Sequence, residues 1–295
     1  MTDPRRILVV GEPRSGTTLL RELLVAQPTV GRSGLASQRP LELLGQLGLG
    51  VHDPLSPRQL HILAQSGGLE RGEIDATPTT FARWHREMST AHAPGEVDAV
   101  VDRVHRPLRL AGQLLDAPDT AIVFLVRDVR DVVLSRAYQY AHEQTELTVL
   151  AWRRALRDAA KLTGHPRFAQ LRFEDLIREP ARSAARLGEA LGLSVTHTRL
   201  GEAGGFVENS TFGDVVRPFD PASVERWRGR PDDPRVRFAG WAARRRLRWL
   251  GYPEPARLGM RERARFAHRR GVARGLDVAS RARRRLTAAL LPPLD

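Results

Sequence analysis

The stretch of this sequence best suited to chemistry is Gly11-Glu-Pro-Arg-Ser-Gly-Thr-Thr18. Gly11 and Gly16 enclose four residues, and Ser15, Thr17 and Thr18 supply hydroxyl groups. Glycines let a backbone turn closely around a ligand, and a turn that opens a helix presents unpaired N–H groups to an anion. The chemistry is phosphate binding. A loop built for a triphosphate and magnesium reads Gly-x-x-x-x-Gly-Lys-Ser/Thr. Here Thr17 stands where that lysine belongs, and the positive charge has moved into the loop as Arg14. Such a loop can cradle a phosphate but is badly equipped for β- and γ-phosphates with their metal. The same residues also fit a plain glycine turn that holds nothing. Two further segments carry suitable groups. Leu125-Val-Arg-Asp-Val-Arg-Asp-Val-Val-Leu-Ser135 sets Arg127 and Ser135 two helical turns apart, both able to donate to a phosphate, with Asp131 placed to orient the arginine or the helix start. Arg103-Val-His-Arg-Pro-Leu108 offers His105, whose side-chain type titrates nearest neutral pH. Cysteine is absent and no His-x-x-x-His pair occurs, so no metal is expected. There is no Gly-x-Ser-x-Gly hydrolase elbow either.

These groups need elements to position them. Arg5–Val10 is an apolar run closed by Gly11, suited to a buried parallel strand, and Thr17–Ala26 has helical spacing in its leucines. Val97–Val104, Thr120–Val126 and Phe168–Phe173 are the other expected strands. Helices are expected over Ser56–Gln65, Pro78–His92, Leu108–Leu115, Asp128–His142, Leu147–Leu162 and Pro180–Leu191, the last stopped by Gly192. Arg32–Gly50 reads mostly as loop, with a helix allowed over Pro40–Leu47; Pro221–Arg228 and Arg235–Leu250 read as helices. Strands alternating with helices predict an α/β fold with a central, mostly parallel sheet flanked by helices.

Composition narrows the class. The 295 residues are 41% hydrophobic and 27% charged, enough for a sizeable core, with no apolar run long enough to span a membrane. The strand-like run begins too early to leave room for a cleavable signal, and a cysteine-free chain fits a reducing compartment, so a cytoplasmic location is expected. Net charge is +13, but residues 257–295 alone hold eleven arginines against Glu262, Asp277 and Asp295. The basic end, and not the body, gives the chain the look of a nucleic-acid binder. No interleaved aromatics or nucleic-acid module accompany it, so no specific nucleic acid is expected. Three readings of this end stay open: a solvated helical tail, a surface for anionic lipid or an acidic partner, and a wall of the active site.

Pro13-Arg-Ser-Gly-Thr-Thr-Leu-Leu20 resembles the 5′-phosphosulfate loop of the sulfotransferases that use PAPS, 3′-phosphoadenosine 5′-phosphosulfate. Arg127 through Ser135 resembles the 3′-phosphate motif of the same family. The resemblance covers roughly residues 5–250 and implies a P-loop NTPase-like sulfotransferase fold in a bacterial member, with a domain over 1–255 and a basic helical extension over 256–295. It implies that Arg14, Ser15, Gly16, Thr17 and Thr18 hold the 5′-phosphosulfate, and that Arg127 and Ser135 hold the 3′-phosphate. Asn209–Arg217, followed by Ser223–Arg228, resembles a C-terminal loop and helix of the family, which makes Arg217 a candidate for returning to the nucleotide. Leu171-Arg-Phe-Glu-Asp-Leu resembles a late strand end of the family and reads as a structural cap. Arg103–Leu108 is similar to the segment that supplies a catalytic histidine. On that reading His105 is the base and Arg103 supports the leaving group. Other members use a glutamate after the first helix, for which Glu42 is the candidate, and Asp75 is a third. The Arg-Lys-Gly loop of small-molecule members is missing. The implied reaction moves a sulfuryl group from PAPS to the hydroxyl of a natural product, carbohydrate or lipid, without a metal. A nucleotide kinase and a non-catalytic nucleotide or nucleic-acid binder are the competing readings.

Overall fold

The computed structural model describes residues 4–33, 36–68, 79–91, 96–105, 108–139, 144–199 and 218–290. Five parallel strands form the central sheet: β1 (Arg5–Gly11), β2 (Val30–Arg32), β5 (Ala99–Val104), β6 (Thr120–Val126) and β7 (Phe168–Arg172), in the order β2-β5-β1-β6-β7. A short antiparallel ribbon joins β3 (Pro54–Leu55) to β4 (Thr79–Thr80). Ile7–Val10 and all of β6 are buried because helices cover both faces, so these strands read as continuous apolar runs. Val10 pairs with Val104 on one side, and Gly11 with Leu125 on the other. The C-terminal ends of β5, β1 and β6 therefore lie side by side. The chain leaves β1 toward β2 and β5 on one side and β6 and β7 on the other, which makes the end of β1 the switch point where ligands of open α/β sheets bind.

One face is covered by α1 (Thr17–Val25), α8 (Phe173–Arg178) and α9 (Pro180–Leu191), whose Leu20, Leu23, Leu176 and Leu187 pack on Ile7, Val9 and Val123. The other face carries α2 (Gln38–Gln46), α3 (Pro57–Ser66), α4 (Phe81–Ala91), α5 (Leu108–Gln113), α6 (Val129–Gln139) and α7 (Thr145–Leu162). α3 begins with a full capping box, Ser56 and Gln59 bonding each other's backbone N–H, and Pro57 takes the first helical position. α9 stops at Gly192, whose φ of 62° is the left-handed conformation of a helix-ending glycine. α10 (Pro234–Trp249) packs on α6 and α7, and α11 (Met260–Leu290) follows it. The basic end is thus one helix, and it is docked at its start: Phe266 is fully buried, its ring 5.4 Å from that of Phe238.

The structure departs from the sequence reading in several places, one of them the β3–β4 ribbon, whose pairing at Thr79–Thr80 delays to Phe81 the helix expected from Pro78. β2 was not expected; its three residues hold an edge position through pairing with β5. The allowed helix at Pro40–Leu47 starts earlier, at Gln38. Pro221–Arg228 is not one helix but two short 3₁₀ turns, Pro221–Ser223 and Arg226–Gly229, because Glu225 between them takes a φ of 54° that no α-helix contains. The candidates Asp75 and Arg217 and the segment 209–217 lie outside the described residues.

A buried polar chain crosses the side of the sheet beneath the β1 end. Arg6, 1% exposed, bonds Asp119 at 2.9 Å and also Thr120. Its Nη1 lies 3.1 Å from His85 Nδ1. An arginine only donates, so Nδ1 accepts and the ring proton sits on Nε2, facing Ser37 Oγ at 2.7 Å. Ser37 N then donates to Asp102 Oδ2 at 2.6 Å, and Arg103 N donates to Asp102 Oδ1. Burial holds the His85 imidazole neutral, with its pKa lowered to about 3, and Arg6 lowers it further while Asp119 opposes. Burial likewise raises the Asp102 carboxyl, against the bonds from Ser37.

Two stability predictions follow from these contacts. A Cβ on Gly16, whose φ is 91°, would stand 2.3 Å from the Phe173 ring. Gly16→Ala should therefore lose roughly 2–5 kcal/mol in chemical denaturation, from strain plus overpacking. Gly48→Ala, at a φ of 76° with open space around it, should lose only about 1 kcal/mol; equal losses would remove Phe173 as the cause. For His85, the unfolded ring takes up a proton below about pH 6.5 that the folded ring refuses. Its contribution is complete above that pH and falls as pH drops toward 3. Unfolding free energies measured from pH 7 to 4 should decline less steeply in His85→Gln, by up to about 1.4 kcal/mol per pH unit. Parallel slopes would mean that His85 is not held neutral.

Candidate active site

The loop between β1 and α1 is a tight turn that opens an uncapped helix. Ser15 N donates to Glu12 O at 3.0 Å, closing a turn, and Arg14 and Gly16 both take positive φ, 73° and 91°. Gly16 is the residue before α1, no side chain caps that helix start, and no acidic residue lies in its first turn. Its N–H groups and the positive end of its dipole are left for another acceptor. Ser15 Oγ is buried and has no hydrogen-bond partner. Gly11 is required for close packing: a Cβ there would meet Thr17 Cγ2 at 2.7 Å and Leu125 O at 2.8 Å.

Arg127 leaves the end of β6 and turns back onto this loop. Its guanidinium donates to Arg14 O at 3.0 Å and Ser223 O at 2.5 Å, and lies 4.4 Å over the Phe173 ring. Trp152 Nε1 fixes its backbone by donating to Arg127 O at 2.9 Å. Asp131 stands 3.9 Å from Arg127 while its Oδ1 accepts from Trp227 N at 2.9 Å. Asp131 therefore both faces the arginine, as its position implied, and anchors the Arg226–Gly229 turn. Burial lowers the Arg127 pKa from its ordinary value, against Asp131 and Glu174, and burial raises the Asp131 carboxyl. Arg127 Nε is buried without a partner. Arg14 Nε donates to Ser135 Oγ at 3.0 Å. The two expected phosphate segments thus meet, through Arg14.

Arg103 reaches the same edge from β5 and donates to Thr18 Oγ1. His105 directly follows β5, half-buried, at the level of Gly11 on the neighbouring strand. Glu42 lies on α2, where its Oε1 accepts from Gln38 one turn back at 3.3 Å. Several contributors went unread in the sequence. Phe173 fills the space beside Gly16 and under Arg127. Glu174 accepts from Asp128 N at 2.9 Å and from Tyr252 OH at 2.8 Å, and burial raises its pKa. The segment Leu171-Arg-Phe-Glu-Asp-Leu, read as a structural cap, was the signal that could have found both.

Comparison with known proteins places this geometry. The sequence profile of the sulfotransferase family matches residues 4–197, well over half of the chain. No curated protein matches at a significant level. Among solved structures, the sulfotransferase domain from the curacin biosynthetic pathway superposes with a TM-score of 0.53 at 16% identity, covering 85% of this chain and 99% of that one. The sulfotransferase domain of the Synechococcus PCC 7002 olefin synthase is 20% identical over 77% of this chain and 89% of that one, with a TM-score of 0.49. Retinol dehydratase, solved with androsterone and the inactive cofactor PAP, is 18% identical over 88% of this chain and 84% of that one, also at 0.49. The curacin domain shares the fold of this chain, and the chain belongs to the sulfotransferase family.

Proposed function

We propose that this chain transfers a sulfuryl group from PAPS to an acceptor hydroxyl and releases adenosine 3′,5′-bisphosphate. One observation carries the reading: Arg14 joins the loop to Ser135 through its side chain and to Arg127 through its carbonyl. That contact supports reading two segments 121 residues apart as one site. The residues fit a ligand with two separated phosphates, because Ser15 Oγ and Arg127 Nε are buried donors that lack partners. In this reading Arg14, Ser15, Gly16, Thr17 and Thr18 hold the 5′-phosphosulfate. Arg127 and Ser135 hold the 3′-phosphate, and Arg217 adds a cation from the C-terminal side.

The donor supplies an activated sulfuryl group. A bond forms between the acceptor oxygen and sulfur as the bond from sulfur to the 5′-phosphate oxygen breaks. His105 takes the acceptor proton, and Arg14 and Arg103 offset the charge that grows on the leaving phosphate. Glu42 is the alternative base. The acceptor is a natural product, carbohydrate or lipid hydroxyl. Thr17 in place of the lysine of triphosphate loops argues against a nucleotide kinase.

Adenosine 3′,5′-bisphosphate should raise the melting temperature by mass action, and ATP with magnesium should raise it much less. Arg127→Ala should weaken bisphosphate binding about ten- to a hundredfold, from loss of a charge-assisted contact worth roughly 1.5–3 kcal/mol. Binding of adenosine 5′-monophosphate should weaken much less, by only what Arg127 gives the loop through Arg14 O. Stronger stabilisation by ATP would favour a kinase, and equal losses for both ligands would remove Arg127 from the 3′-phosphate. The base is tested separately. His105→Ala should keep bisphosphate affinity and lose about 10²–10⁴ in turnover, with Glu42→Gln far milder. The reverse order of losses would make Glu42 the base.

A further inference from the structure

α11 lies alongside α7 and runs parallel to it. Glu146 accepts from Arg269 Nε at 2.6 Å, and Arg154 pairs with Asp277, the same sequence offset eight residues further along both helices. Arg153 of α7 stands among Arg270 and Arg274 of α11, with Arg157 of its own helix beside it, while Arg270 covers the Trp241 ring of α10 at 4.8 Å. Arg244 and Arg246 of α10 complete the group. None of these six arginines has an ion-pair partner among the described residues, and Arg153 Nη1 is buried without any hydrogen-bond partner. Burial lowers the pKa of Arg153 and of Arg270, and the neighbouring arginines lower both further. A protein gains nothing by gathering like charges unless an anion offsets them.

The occupant is indicated by what shares this face. Met260, Arg263, Ala267, Arg270, Arg274 and Val278 recur at three- and four-residue intervals, which is one face of a helix. Met260 is 87% exposed and Val278 58%. Apolar side chains standing out among arginines suit the headgroup boundary of a bilayer, where methylene and guanidinium groups are both accommodated. A soluble polyanion would use the charge and leave the apolar groups in water. No helix among the described residues is long and apolar enough to cross a membrane, so the contact lies along the surface.

We propose that the arginine face formed by α7, α10 and α11 docks the protein on an anionic lipid surface, with headgroup phosphates among Arg153, Arg270 and Arg274 and with Met260 and Val278 entering the boundary. The test is co-sedimentation of the full chain with phosphatidylcholine vesicles, with and without phosphatidylglycerol, at low and high salt. Binding should require phosphatidylglycerol and weaken with salt. Arg270→Glu combined with Arg274→Glu should weaken it at least about tenfold, since each basic group near such a surface contributes about fivefold. Arg274→Gln is the milder substitution should the pair melt early by circular dichroism. Met260→Gln with Val278→Thr, which leave the charge as it is, should reduce vesicle binding yet leave retention on heparin unchanged. Binding without a phosphatidylglycerol requirement would overturn the proposal. So would an apolar pair without effect on vesicles, which would leave a surface for soluble polyanions.

Discussion

A cation withdrawn from water has to be compensated by its surroundings, and the whole candidate site is arranged around one such group, the guanidinium of Arg127. It is 7% exposed. The compensating groups come from four separated parts of the chain: the carbonyl of Arg14 in the loop, the carbonyl of Ser223, the ring of Phe173 and the carboxylate of Asp131. The arginine is therefore a junction that holds the loop, the start of α8 and the Ser223–Trp227 segment in one arrangement. The compensation is incomplete. Asp131 is 3.9 Å away, Nε has no partner, and burial still outweighs the attraction of the carboxylates. A group left in this condition is better satisfied with an anion beside it than without one. Under the proposed reading, stability of the junction and affinity for a phosphate are the same interaction seen from two sides.

What brings these parts together is the parallel sheet. Parallel pairing sends every strand out at the same edge, so residues that follow different strands become neighbours whatever their distance in sequence. Gly11, His105 and Arg127 follow or end β1, β5 and β6, which lie side by side. Packing then sets the tolerances. Gly11 and Gly16 are places where even one added carbon would strike Leu125 or Phe173, so the loop is closely held from behind while its outer side keeps its N–H groups for a ligand.

Features written locally were legible in the sequence. Thr120–Val126 is a strand because all seven residues are buried, which leaves an unbroken apolar run. The end of α9 is marked by a glycine that the left-handed cap requires. The tight turn from β1 into α1 was legible in its glycines. Features written across the chain were not. β2 has three residues and exists through its neighbour β5. Nothing around Glu225 signals the positive φ that splits the expected helix. The chain from Arg6 through His85 and Ser37 to Asp102 joins residues up to 79 apart, and no spacing rule relates them. The pairing of Glu174 with Tyr252 is of the same kind.

The substitution of a lysine by Thr17, with an arginine placed at 14 instead, is more than a relocation of charge. A lysine at the first turn of α1 would extend along a bound phosphate chain. Arg14 has a positive φ, and that turn of the backbone sends its side chain across to Ser135 of α6 while its carbonyl faces Arg127. A planar guanidinium can donate in several directions at once. From this position it belongs to both halves of the site, the loop that would hold one phosphate and the helix that would hold another. Under the proposed reading, the donor is recognised by the separation of its phosphates on the two ends of a ribose rather than by a chain of them with a metal. A loop with its charge tied sideways to α6 suits that ligand, and suits a linear triphosphate poorly.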